Sequence, residues 1–142
     1  MAKKRTDGET AMAETLIPRE PENESGKEAR QTYLVFARAV IREMSVDYLT
    51  LYQRFVGNDW AAIKLDEEVG KTALKAGYAP KDIVQFLHQS PYVQHQIHQK
   101  QVPVKSMTQY AVSLVTEAVQ ETLQGGRAVQ RRQGYLPQRE LE

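Results

Sequence analysis

The sequence predicts an all-α protein: a compact bundle of five or six helices between a flexible N-terminal arm and a flexible C-terminal tail. Three observations carry this expectation. Large apolar residues recur at alternating spacings of three and four, the repeat that places them on one helical face. Proline, serine and glycine fall where helices begin and end, at Gly57, Gly77, Pro80, Ser90-Pro91, Pro103 and Gly125-Gly126. No segment sustains the alternation of a strand.

Residues 1–28 read as a disordered arm, because Lys, Glu, Thr, Pro and Gly dominate and too little apolar surface is present to offset the entropy of ordering. The folded domain is expected over residues 29–124. Its strongest signal is the series Leu34, Ala37, Ile41, Met44, Tyr48, Leu51 and Phe55, all in phase on one stripe. A turn at Ser45-Val46-Asp47 would divide the stripe into two helices, since serine and aspartate cap well; Gly57-Asn58-Asp59 closes the run.

A further helix is expected from Asp59 or Trp60 to Gly77, with Trp60, Ile63, Val69, Ala73 and Ala76 inward. Pro80 suits the first turn of another, running to His88 and burying Ile83, Val84 and Leu87. Ser90-Pro91 repeats the signal and opens a short helix to about Lys100. The last helix is capped by Ser106, buries Met107, Ala111, Leu114 and Ala118, and ends at Gly125-Gly126. Residues 125–142 then form a flexible basic tail.

The absence of cysteine excludes disulfides, thiolate metal sites and thiol nucleophiles, and fits a cytoplasmic location. No apolar run reaches the roughly 20 residues that span a bilayer, so no membrane partner is expected. Net charge is +1, yet residues 29–123 carry 10 basic and 9 acidic groups, a nearly neutral body. A domain built to grip a phosphate backbone usually carries a basic excess on its folded part.

No catalytic or cofactor site emerges. His95 and His98 share a helical face, but no third ligand accompanies them, so no metal is expected. Asp66, Glu67 and Glu68 are adjacent and point in different directions; a favourable interaction with a helix dipole explains them. Gly70-Lys71-Thr72 resembles the end of a phosphate loop, but Leu65 stands where its first glycine is needed.

Binding features are clearer. Gln85, Gln89, Gln94, Gln96, Gln99 and Gln101 accompany the three histidines and Tyr92 on a polar, nearly uncharged stretch. Such amides serve a protein contact without the desolvation cost of ions, which makes Tyr92, Gln96 and Gln99 the candidate protein interface. Ala73, Gly77 and Ile83 have the spacing of a helix-turn-helix corner, and Lys81 and Gln85 would then reach nucleic acid, joined by Arg127, Arg131 and Arg132 of the tail. Two helices packed at any tight turn require the same three residues.

The segments VFARAVIREM and DEEVGKTALKAGYAPKDIVQFLHQSP, within residues 34–91, resemble the small helical module appended to plasmid relaxases and primases. The chain has neither a relaxase histidine cluster nor a primase metal centre, so the resemblance implies an accessory part in nucleic-acid metabolism and no catalytic role. The chain is also similar in character to small helical regulators of ribonuclease E. The expectation is a non-enzymatic adaptor or regulator without cofactors, bound to a larger protein such as a ribonuclease. Direct nucleic-acid binding and homodimerisation through the long first stripe are the alternatives.

Overall fold

Six helices follow one another along the described residues, with no strand among them, and local capping chemistry accounts for where most of them begin. The computed structural model describes the backbone of residues 17–134 and the side chains of residues 17–124. Helix α1 spans Glu24–Ile41, opened by Asn23, whose side chain accepts from the Gly26 N–H at 2.8 Å. It begins inside the stretch expected to be a disordered arm. Residues 17–23 of that arm are outside any helix, and residues 1–16 lie outside the described residues.

The long stripe is interrupted. Arg42 takes up a left-handed conformation, φ 62°, which costs a non-glycine residue roughly 1 kcal/mol. Two contacts hold the bend: Arg38 Nε donates to the Val46 carbonyl at 2.7 Å, and Arg54 pairs with Glu43 at 2.7 Å. Asp47 then caps α2, Tyr48–Phe55, by accepting from the Thr50 N–H at 2.8 Å. Val46 is buried in the bend while Met44, expected inward, stands 71% exposed. Leu34, Ala37, Tyr48 and Leu51 are spent on the molecule's own core, so the stripe offers no continuous seam to a second copy.

Asn58 caps α3, Asp59–Lys75, through the Ala61 N–H at 3.1 Å. The helix closes in the 6→1, 5→2 pattern of a Schellman motif: Tyr78 N–H donates to the Ala73 carbonyl at 3.1 Å and Gly77 N–H to that of Leu74 at 3.0 Å. Gly77 has φ +98°, so it fills the one position of this turn that favours glycine. Helix α4, Pro80–Leu87, and α5, Pro91–His98, each begin with proline, and Ser90 Oγ caps the second by accepting from the Val93 N–H at 3.1 Å.

Helix α6 runs Val104–Gly134, two residues earlier than Ser106 and well past the expected stop. Glycines at 125 and 126 each weaken a helix by about 1 kcal/mol relative to alanine, but they adopt α-geometry without strain. The sequence beyond them, Arg127-Ala128-Val129-Gln130-Arg131-Arg132, is composed mostly of good helix formers. None of the helices among the described residues is long and apolar enough to cross a membrane.

Helix α3 lies against α1 and α6, α4 lies against all three, and α2 packs on α5. One core unites Tyr33, Leu34 and Ala37 with Leu51, Val69, Ala73, Ile83, Leu87, Ala111 and Leu114. Trp60, expected inward, is 72% exposed, and Ala76 is exposed as well; Trp60 lies in the first turn of α3 and Ala76 caps its C-terminal end. Gly70 is interior to α3, and a Cβ built there meets nothing within 4 Å. Gly70→Ala is therefore expected to stabilise the fold by about 1 kcal/mol through helix propensity, read as a higher urea midpoint at unchanged m-value.

Candidate functional site

Asp66, Glu67 and Glu68, adjacent in sequence and expected to point in different directions, do so, and the fold gives them different surroundings. Glu67 and Glu68 face outward, within 3.4 Å of Lys64 and 3.6 Å of Lys71 respectively. Asp66 turns inward from the middle of α3 and is fully buried, so a helix-terminal dipole does not account for it. Three hydroxyls donate to its carboxylate: Tyr33 of α1 at 2.8 Å, Ser90 at 2.9 Å and Tyr110 of α6 at 2.7 Å. The same Ser90 oxygen caps α5, so one carboxylate joins α1, α3, α6 and the α4–α5 corner.

Burial disfavours the ion more than the three donated bonds favour it, and the Asp66 carboxyl is pushed up to about 7. Burial, then the neighbouring charge of Asp66, raises the Tyr33 and Tyr110 hydroxyls well above their ordinary range. A carboxyl poised near neutrality is a familiar attribute of acid–base chemistry. Here Asp66, Tyr33 and Ser90 are all 0% exposed, and neither of the described clefts is lined by any of them. The arrangement ties helices together.

A pH dependence follows with a defined sign. Between about 3.8 and about 7 the folded chain holds a proton on Asp66 that the unfolded chain has released. Stability from this group is thus full below the lower value, falls as pH rises through the window and is level above it. Burial lowers His88, His95 and His98, which act in the opposite sense as pH falls below their ordinary value of 6.5. The difference in urea midpoint between the wild type and Asp66→Asn isolates the carboxyl. It is expected to move against the wild type from pH 4 to pH 7, and a constant difference contradicts the account.

A second polar cluster surrounds Arg30, which is 5% exposed. Its guanidinium lies over the Tyr48 ring at 4.2 Å and donates to Gln89 Oε1 at 3.1 Å and Gln94 Oε1 at 3.3 Å. Tyr48 in turn donates to the Gln89 carbonyl, and Gln94 Nε2 to the His88 carbonyl at 2.7 Å. No carboxylate of the described residues is within ion-pair distance of this arginine. The sequence carried a signal for both clusters: Arg30 stands four residues before Leu34, and Asp66 three before Val69, each in phase with a buried stripe.

These clusters revise the expected interface. Gln94 and Gln96 are both buried, on different sides of α5, so Gln96 cannot serve as an exposed contact. Tyr92 is half-buried against Tyr110, ring centroids 5.0 Å apart, while Gln99 is exposed. Tyr92, Gln96 and Gln99 thus do not form one exposed patch. His88 Nε2 sits 2.9 Å from Thr108 Oγ1, and among the described residues no three groups are placed to hold a metal ion.

The helix-turn-helix spacing is realised as packing: Ala73 and Ile83 are fully buried on either side of Gly77. Lys81 and Gln85 are exposed, and Gln85 lines a cleft between α1 and α4 together with Asp82 and Glu28. Two carboxylates flanking the helix that would read a duplex set an unfavourable field for phosphate. Arg127, Arg131 and Arg132 lie on the last turns of α6, and their side chains are outside the described residues. No family model, curated protein or solved structure matches the chain.

Proposed function

We propose that this chain is a non-enzymatic adaptor or regulator that binds a larger protein acting on RNA or DNA. The observation that carries the reading is the division between interior and exterior. The titratable groups with the strongest perturbation are enclosed and satisfied, whereas large apolar side chains stand in solvent on a well-packed body: Trp60 at 72%, Met44 at 71% and Tyr78 at 41%. Exposed tryptophan and tyrosine are over-represented among residues that dominate protein interfaces. A buried polar network such as that around Asp66 fixes one arrangement of helices, and so holds those contacts in register.

The nearly neutral body favours a protein partner over a phosphate backbone. The resemblance of residues 34–91 to accessory modules of relaxases and primases supplies the class of partner, and a ribonuclease belongs to the same class. The helix-turn-helix-like corner favours direct nucleic-acid binding as a second reading, against which the carboxylates beside Gln85 weigh. Affinity capture from the native cell, with and without nuclease, separates the two. A specific protein retained after nuclease supports the adaptor; loss of every partner transfers the function to nucleic acid, with affinity falling steeply as salt rises.

A further inference from the structure

Between α1 and α4 runs an open cleft of about 200 Å³ whose lining includes two aromatic side chains, Tyr78 and Phe86, and two acidic ones, Glu28 and Asp82. Phe36, Tyr78 and Phe86 form a mutual ring cluster, with Tyr78 edge-on to Phe36 at 5.3 Å and to Phe86 at 5.8 Å. Tyr78 remains 41% exposed, so part of its ring surface is open to a ligand. Glu28 and Asp82 line the same cleft, and none of the ion pairs among the described residues involves either. Thr32 and Gln85 add neutral hydrogen-bonding groups.

We infer that this cleft receives an arginine side chain of the partner protein. The inference rests on the adaptor reading and names the chemistry by which the partner is recognised. A planar guanidinium stacks on an aromatic ring while its N–H groups fork onto carboxylates, a combination that neither a phosphate nor an apolar side chain can use. The volume suits one extended side chain and falls below the roughly 300 Å³ at which cofactor-sized sites begin. The molecule already displays this chemistry internally, where Arg30 lies over Tyr48 and is held by two side-chain oxygens. At the cleft the corresponding oxygens are those of the Glu28 and Asp82 carboxylates.

The test titrates the full chain with N-acetyl-arginine amide and follows backbone amide shifts, with N-acetyl-citrulline amide as the neutral probe of the same shape. Saturable shifts at Thr32, Tyr78, Asp82 and Gln85 are expected, weakened roughly tenfold for citrulline and for the double variant Glu28→Gln/Asp82→Asn. Equal shifts for the two probes, shifts centred elsewhere, or no saturation below about 100 mM overturn the assignment. Both variant positions are exposed, so an unchanged thermal midpoint confirms that folding is not the cause. Should a protein survive nuclease in the capture experiment and be held equally by this double variant, the cleft assignment falls while the adaptor stands.

Discussion

Asp66→Ala is expected to destabilise the chain by about 4 kcal/mol, a large part of the roughly 5–15 kcal/mol that holds a domain together. The substitution removes the acceptor of Tyr33, Ser90 and Tyr110 at once, in a place where Tyr33 and Ser90 have no access to water. A buried hydroxyl left without a partner forfeits about 1–3 kcal/mol, and three share the loss here. The cavity adds to it. Asp66→Asn keeps one carbonyl oxygen and a similar volume, and the hydroxyls can turn to accept from its amide, so its loss should be less than half as large. Urea unfolding followed by circular dichroism reads both. A loss below about 1 kcal/mol for the alanine variant contradicts the clasp.

The second large effect belongs to Arg30. Truncation to alanine removes the guanidinium from the Tyr48 ring and leaves Gln89 Oε1 and Gln94 Oε1 without their donor, at an expected cost of about 3 kcal/mol. The effect should concentrate where α1 meets the α4–α5 corner, so amides of residues 88–90 and 92–94 are expected to exchange faster with solvent than those of Val69 or Ala73. Arg30→Met fills a comparable volume without carrying a charge into the interior and should recover about half of the loss. Full recovery by the methionine variant would show that packing alone, and not the polar contacts, accounts for the residue.

Helix boundaries were legible in the sequence wherever a single residue decides them. Gly77, Pro80, Ser90 and Pro91 act through local geometry that no tertiary contact needs to support. Asp47 likewise marks the turn that divides the first stripe and caps α2, but the exit of α1 at Arg42 was not legible, because an arginine carries no left-handed signal and the bend is held by contacts from Arg38 and Arg54. The passage of α6 through Gly125 and Gly126 inverts a local preference that the flanking helix formers override. The candidate site was legible in residue type and not in position. Polarity places glutamines on the surface, yet Gln94 and Gln96 are buried, and Gln94 finds its partners there in the Arg30 guanidinium and the His88 carbonyl. The cleft joins Glu28 to Asp82 across 54 positions of sequence, a distance no local pattern spans.

A comparison of two variants tests most directly the proposed division of the molecule into an interior that holds helices and an exterior that makes contacts. Asp66→Asn and Trp60→Ala are each assayed at neutral pH for folding and for retention of the nuclease-resistant partner. The expected result is that the Asp66 variant, once shown to be folded, retains the partner, while Trp60→Ala keeps its thermal midpoint and loses the partner. A folded Asp66 variant that releases the partner, beside a Trp60 variant that holds it as before, would place the function in the interior and contradict the account.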